Sequence, residues 1–174
     1  MPANVFEWDG WQGQYRRMRR WFDRLARVAN DWDRYSMDEQ IDYVLVFFQT
    51  AYHLRDYLLA EAVVGQRALD ELMQGSQSLR AARDLANGSK HRVITRPSRD
   101  AAPWISRTLN FSAEPRLTLK VDPRQEDLLA VAAACLGDWD SFLGRHSLDP
   151  QSFSPHAQAL RDALAARHFP GQDG

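Results

Sequence analysis

The sequence predicts a mainly α-helical protein: a bundle of four to five helices that carries a small antiparallel β hairpin or sheet at about residues 92–121. Two observations predict this class. Apolar residues recur at helical spacing before and after the insertion, and short β-branched and aromatic runs occur within it. At 174 residues, 44% hydrophobic and 26% charged, the chain has the length and composition of one globular domain. We therefore expect a single helical domain over residues 1–174.

The first helix is expected from about Trp11 to Trp32, because its apolar residues follow alternating steps of four and three and so form one stripe. They are Trp11, Tyr15, Met18, Phe22, Leu25, Ala29 and Trp32. The other faces are rich in arginine: residues 14–27 contain six arginines and a single acid, Asp23. A solvated basic face and a phosphate-binding face both fit this pattern. The candidate nucleic-acid contacts on this helix are Arg16, Arg17, Arg20, Arg24 and Arg27.

The second helix is expected to open at Ser36, because Ser36 with Glu39 three residues later is a capping-box pattern. It should run to about Glu61. Apolar residues surround much of its circumference, which is typical of the central, most buried helix. A short helix over about Gln66–Met73 and a third main helix over Ser78–Asn87 should follow.

The pattern changes after His91. Short runs rich in β-branched and aromatic residues predict strands, and in the last of them apolar and polar residues alternate. These runs are Arg92–Thr95, Trp104–Phe111 and Arg116–Val121, with a loop at Pro97–Pro103. Residues 90–124 contain eight Lys or Arg and three acids, so Arg92 and Arg96 are further candidate nucleic-acid contacts. Asp122 followed by Pro123 then predicts a helix start, and a last helix is expected from Pro155 to about His168.

The cysteine count and the hydropathy pattern exclude a protein with an intramolecular disulfide, a multi-cysteine zinc protein and a membrane-spanning protein. Cys135 is the one cysteine, so an intramolecular disulfide and a multi-cysteine zinc site are excluded. Its neighbours are mostly alanine and leucine, which favours a small buried hydrophobic residue over a nucleophile. The longest apolar stretch, Tyr43–Phe48, is too short to cross a bilayer, and the start of the chain lacks the pattern of a signal peptide. We expect a cytoplasmic protein with no membrane partner.

Two segments place polar groups where the helical pattern favours apolar ones. One stripe lies on the second helix and one on the third: Gln49, His53 and Asp56, and Arg80, Asp84 and Asn87. Arg83, Lys90 and His91 lie beside or just after the second stripe, near the helix stop that Asn87 and Gly88 predict. A structural polar network, with ion pairs and a hydrogen-bonded core histidine, and a functional site are both consistent with this pattern.

Residues 47–58 (FFQTAYHLRDYL) and 83–91 (RDLANGSKH) resemble segments of a family of bacterial and phage proteins of unassigned activity. The layout also resembles HEPN domains, helical bundles that often act as metal-independent endoribonucleases in defence and toxin systems. The HEPN motif is an arginine, a polar residue, a short gap and a histidine. Arg83, Asp84 and His91 follow it, except that seven residues separate Arg83 from His91, a longer gap than the family has.

The HEPN resemblance implies an RNA-directed function, a homodimer with a shared cleft, and no cofactor. His91 would act as general acid or base, and Lys90 or Arg83 would stabilise the charge that builds on the phosphate. His53, Asp56, Asp84 and Asn87 complete the set of candidate catalytic residues.

Two other interpretations stay open. His53, Asp56, Asp84 and His91 offer nitrogen and oxygen ligands for a metal, although no helical metal motif of the Glu-x-x-His or His-Glu-x-x-His type is present. Alternatively the chain is a non-catalytic binding or scaffold protein that contacts nucleic acid or an acidic partner through its arginine-rich first helix. The long Arg83–His91 gap suits this second interpretation as well as the ribonuclease.

Overall fold

The structure, a computed structural model, describes residues 9–88, 104–108, 116–121 and 124–152. Within these ranges five α-helices are accompanied by a small antiparallel sheet. The helices are α1 (Gly10–Asn30), α2 (Met37–Ala60), α3 (Gln66–Gly75), α4 (Gln77–Gly88) and α5 (Leu128–Arg145), and the strands are β1 (Trp104–Thr108), β2 (Arg116–Val121) and β3 (Arg124–Asp127). The predicted fold class, mainly helical with a small antiparallel insertion, is confirmed.

Helix α1 buries the stripe that its sequence predicts. Tyr15, Met18 and Leu25 are almost completely inaccessible to solvent, whereas the arginines lie on the remaining faces. The helix ends at Asn30, and a short 3₁₀ turn, Trp32–Arg34, leads into α2. The buried stripe therefore fixes which side of α1 faces the core and which side is left for its charges.

Helix α2 is the central helix, as its apolar circumference predicts. It begins with the expected capping box: the Ser36 hydroxyl accepts from the Glu39 backbone N–H, and the Glu39 carboxylate accepts from the Ser36 N–H at 2.8 Å. It packs against α1, α4 and α5. Phe47 and Phe48 are fully buried between these neighbours.

The predicted start of the fifth helix at Asp122 and Pro123 is wrong. Residues Arg124–Asp127 form strand β3, which pairs antiparallel with β2 and places Thr118 opposite Asp127. The helix begins at Leu128 instead, where the Asp127 carboxylate accepts from the Ala130 N–H at 2.9 Å. Asp127 is an equally good N-cap, and capping there leaves the preceding residues free for the sheet.

Helix α5 lies between the sheet and the other helices: it packs against β2 and β3 and also against α1, α2 and α4. In the strand order β1-β2-β3 the central strand is β2, whose Leu119 is fully buried. On α5, the Trp139 indole N–H donates to the Ala51 carbonyl of α2 at 3.0 Å. Cys135 is also fully buried there, and this burial raises the pKa of its thiol, as suits a packing residue rather than a nucleophile.

Three of the predicted segments lie outside the described residues: the strand at Arg92–Thr95, the loop at Pro97–Pro103 and the last helix at Pro155–His168. Strand β2 has the predicted bounds, and β1 is described from Trp104 to Thr108. Among the helices that the structure describes, none combines the length and the apolar character needed to cross a bilayer.

Candidate functional site

The polar residues of α4 divide into an accessible line and one buried member. Arg80 and Asn87 are half-buried and Arg83 is exposed, so these three residues form a line along one side of the helix. Asp84, which the sequence pattern grouped with Arg80 and Asn87, is only 1% exposed. Helices α2, α3 and α5 pack against α4, and Asp84 is buried on the side of α4 that faces the protein interior. Asp84 is therefore placed to hold helices together, whereas Arg80 and Arg83 can reach a ligand.

A cleft of about 400 Å³ lies among α2, α3 and α4. Its lining is Tyr52 and Arg55 from α2, Asp70, Met73 and Gln74 from α3, and Arg80 and Arg83 from α4. Arg83, a predicted catalytic residue, thus meets Arg80 of the same polar stretch and Arg55 of α2 in one concave space. Three arginines and one acid line this space, so it carries a positive field that attracts anions.

The single acid of the lining is already engaged. The Arg55 Nη2 donates to Asp70 Oδ1 at 3.0 Å, and the Gln66 side-chain amide donates to the same oxygen at 2.7 Å. The hydrogen bond from Gln66, followed by that from Arg55, lowers the pKa of the Asp70 carboxyl. Asp70 is therefore ionised at neutral pH and offsets the charge of Arg55. Asp70 is the one acid in the described lining, so Arg80 and Arg83 give the cleft an excess of positive charge.

The predicted residues of α2 lie close to this cleft without lining it. His53 is half-buried, and its ring centroid is 6.0 Å from that of Tyr52, which is part of the lining. Asp56 is exposed and forms a 3.4 Å ion pair with the Arg55 Nη1. The structure therefore brings the Arg80–Arg83 pair together with Tyr52 and Arg55, and leaves His53 and Asp56 on the neighbouring surface.

Four predicted residues lie outside the described residues: Lys90, His91, Arg92 and Arg96. The last described residue before them is Gly88, which ends α4. Because Lys90 and His91 follow Gly88 by two and three residues, the accessible line of Arg80, Arg83 and Asn87 leads toward them along the chain. Their assignment to the site remains a prediction.

The arginines of α1 fall into two groups. Arg16 is used within the fold: it forms an ion pair with Asp9 and donates to the Pro150 and Ser152 carbonyls at 3.1 and 2.9 Å. Arg20, Arg24 and Arg27 are instead exposed and lie on the face opposite the buried stripe. We name these three the outer arginines.

The other α1 arginines hold intermediate positions. Arg17 is half-buried and donates to the Gln14 side chain at 2.6 Å. Arg19 is exposed and forms a 3.4 Å ion pair with Asp140 of α5. Of the outer arginines, Arg27 also donates to the Asp23 carbonyl at 3.2 Å, a contact that leaves its charge uncompensated.

The described residues contain no group of side chains that supports the metal interpretation. Within residues 9–88, 104–108, 116–121 and 124–152, no three His, Cys, Asp or Glu side chains are grouped as a metal ion would require. His91, which that interpretation includes, lies outside these ranges.

A second cleft, of about 490 Å³, lies between α3 and α5. Its polar lining includes Ser76, Asp138 and His146. The Ser76 and Ser78 hydroxyls both donate to Asp138 Oδ2, each at 2.6 Å. These hydrogen bonds join α5 to the start of α4, so they stabilise the packing of the two helices. None of the predicted site residues lies in this lining.

The sequence patterns missed part of the first cleft. Of the lining residues, Arg83 alone was among the candidate residues, although Tyr52 and Arg55 share a helical face at i, i+3 spacing. The contribution of α3 had no local signal, because a ten-residue amphipathic helix with charged outer positions is typical of a solvated surface.

Neither a protein-family model, nor a curated protein, nor a solved structure matches the chain. The functional proposal therefore depends on the residues and their geometry.

Proposed function

We propose that the chain is an RNA-directed protein of the HEPN type, in which the arginine-lined cleft among α2, α3 and α4 holds the RNA phosphate. The observation that carries this proposal is the meeting of Arg80 and Arg83 with Arg55 and Tyr52 in one cleft. A planar guanidinium group can donate two parallel hydrogen bonds to two oxygens of one phosphate. The Tyr52 ring offers an aromatic surface against which a ribose or a base can pack.

The proposed reaction is cleavage of the RNA backbone without a metal. His91 removes the proton of a ribose 2′-hydroxyl, and the oxygen attacks the adjacent phosphorus. The bond from phosphorus to the 5′ oxygen breaks, and that oxygen takes up a proton, leaving a 2′,3′-cyclic phosphate and a 5′-hydroxyl. Arg83 and Lys90 stabilise the negative charge that builds on the phosphate during this step. The chemistry needs no cofactor, and in the HEPN arrangement a homodimer would bring two such clefts together.

The location of Arg83 supports its assigned role. It is exposed, lies on the same side of α4 as Arg80, and precedes the segment that carries Lys90 and His91. Asp84, by contrast, is buried, and its role under the proposal is to hold α4 in place. Under the proposal, the candidate residues Arg83, Lys90 and His91 contact the RNA, and His53, Asp56 and Asn87 border the site. Arg80 and Arg55, which the cleft adds to this set, bind phosphate.

The test is incubation of purified protein with mixed RNA in excess EDTA, beside His91→Ala and Arg83→Gln. The proposal predicts cleavage by the wild-type protein, products ending in 2′,3′-cyclic phosphate, and loss of cleavage in His91→Ala. Arg83→Gln should reduce the rate by about 100-fold, since one lost contact to the developing charge has an effect of that order. Arg34→Gln is the matched control, because Arg34 is exposed, lies outside the cleft lining, and is paired at 3.7 Å with its neighbour Asp31.

Intact RNA with every protein, at concentrations where the RNA is bound, would reject the ribonuclease and favour the second candidate, a non-catalytic RNA-binding protein. One observation favours that candidate specifically: the outer arginines Arg20, Arg24 and Arg27 form an exposed basic face and make no ion pair with an acid of the described residues. Cleavage that appears when Mg²⁺ or Mn²⁺ is added, and not in EDTA, would instead indicate the metal site.

A further inference from the structure

The outer face of α1 carries an aromatic ring beside its arginines. The guanidinium carbon of Arg24 lies 4.4 Å from the centroid of the Trp21 ring. Trp21 is half-buried and packs against the core on one side, while Arg24 is exposed. One face of this indole is therefore covered by a solvated charged side chain and not by the protein interior. A planar ligand can take the place of the guanidinium without disturbing the core.

Trp21 begins a row of aromatic side chains between α1 and α2. Its ring centroid is 6.0 Å from that of Tyr43, which in turn is 6.0 Å from that of Tyr35. All three side chains are half-buried, so each exposes part of a ring. Basic groups interleaved with partly exposed aromatic rings are typical of surfaces that bind unpaired nucleotides, because bases stack on the rings while arginines hold the phosphates.

Charge decides which end of this row is suited to nucleic acid. At the Trp21 end, Arg24 lies over the ring, and Arg20 and Arg27 are exposed on the same helix. At the Tyr35 end, the exposed acids Asp38 and Asp42 at the start of α2 repel phosphate. Binding therefore centres on Trp21 and Arg24.

From this arrangement we infer that Trp21 is a stacking site for an unpaired nucleobase, so that the outer face of α1 selects single-stranded over double-stranded RNA. The base takes the position of the Arg24 guanidinium over the indole, and Arg24 moves to a phosphate of the same strand. In a duplex the base faces are covered by their neighbours and cannot reach Trp21. This inference depends on the proposed RNA-directed function and concerns a surface separate from the cleft residues.

The experiment measures affinity for a single-stranded 2′-O-methyl oligouridylate and for a 2′-O-methyl RNA duplex of equal length, which cannot be cleaved because the attacking hydroxyl is blocked. The variant is Trp21→Leu, which removes the ring and keeps an apolar contact with Tyr43. Single-strand affinity should fall about tenfold, the effect of one lost stacking contact, and duplex affinity should stay unchanged. Arg145→Gln, an exposed charge on α5, is the control.

A second measurement keeps the inference testable if Trp21→Leu unfolds. Trp21→Phe preserves a ring, so it should fold; the oligouridylate should quench the fluorescence of the wild-type protein, and Trp21→Phe should lose that part of the quenching. Equal affinity for single strand and duplex in the wild-type protein, or an unchanged single-strand affinity in Trp21→Leu, would overturn the inference while leaving RNA binding intact. Binding of polyglutamate as tight as that of the oligouridylate would also overturn it, since that result indicates an acidic protein partner. Failure of the wild-type protein to bind either RNA would reject the proposed function itself.

Discussion

The two ends of α1 use the same residue type in opposite ways. At its N-terminal end, Arg16 is bound to Asp9 and to two carbonyls that follow α5, and its side chain is 18% exposed. From its midpoint to its C-terminal end, Arg20, Arg24 and Arg27 are exposed and their charges are not paired with acids of the described chain. The difference shows that an arginine-rich helix is not one functional unit: the first end is structure, and the second is available to a ligand.

Other contacts at the N-terminal end support this division. The Tyr15 hydroxyl donates to Asp140 Oδ1 at 2.6 Å, and burial together with this bond raises the pKa of Tyr15 to about 12. The Trp11 backbone N–H donates to the Glu61 carboxylate at 2.6 Å. Each of these contacts joins α1 to a distant part of the chain. Among the described residues, the contacts of the outer arginines stay within α1: Arg24 lies over the Trp21 ring and Arg27 donates to the Asp23 carbonyl.

The largest expected effect separates the two ends by stability. Arg16→Gln should reduce the free energy of unfolding by about 2–4 kcal/mol, because it leaves Asp9 and two carbonyls without their charged donor in a largely buried place. Arg20→Gln, the matched change at the exposed end, should alter it by less than about 0.5 kcal/mol. Urea unfolding of both variants measures the difference. Equal losses in the free energy of unfolding would show that Arg16 and Arg20 do not differ in their structural role.

A smaller effect tests how helix starts are held. Helix α5 is capped by its own Asp127, whereas the start of α1 is held by the remote Glu61. Asp127→Ala should destabilise the protein by about 1 kcal/mol, the usual contribution of an N-cap side chain, and Asp127→Asn should retain most of it. Thermal unfolding of the two variants checks this, and an equal loss in both would point to a role of Asp127 other than capping.

The smallest effect concerns the pH dependence of the Glu61 contact. Desolvation is the main cause that raises the pKa of this carboxyl above its ordinary value of 4.5. The folded protein therefore binds the proton more tightly than the unfolded chain does, and the stability this adds is lost as pH rises through the folded pKa. The stability of the wild-type protein relative to Glu61→Gln should thus decline as pH rises above 4.5. Stability curves for both proteins over that range give the sign, and an increase would contradict it.

Much of the fold follows from local patterns. The capping box at Ser36 and Glu39, the strand Arg116–Val121 and the inward stripe of α1 are each determined by residues close in sequence, and the structure has all three. The start of α5 was mispredicted because Asp122-Pro123 and Asp127 carry similar capping signals. Only the pairing of residues 124–127 with β2, a tertiary contact, decides between them.

The candidate site was less predictable than the fold, for a related reason. Helical spacing placed Arg80, Asp84 and Asn87 on one stripe, but the packing around α4 buries Asp84 and leaves Arg83 accessible. Likewise Arg16 and Arg20 look alike in sequence. They are distinguished by the contacts of Arg16 with Asp9, Pro150 and Ser152, two of which are far from Arg16 in sequence.

RNA binding by the outer arginines is tested most directly by the salt dependence of RNA affinity. The wild-type protein is compared with a triple variant that combines Arg20→Gln, Arg24→Gln and Arg27→Gln. The control is a double variant that combines Arg34→Gln and Arg145→Gln. We expect the wild-type protein to bind single-stranded RNA. We also expect the triple variant to bind more weakly and to have a log–log salt slope shallower by about 2, roughly 0.7 for each lost phosphate contact. The control should keep the wild-type slope. An unchanged slope in the triple variant would show that the outer arginines do not bind phosphate. No RNA binding by the wild-type protein at low salt would reject an RNA-directed function.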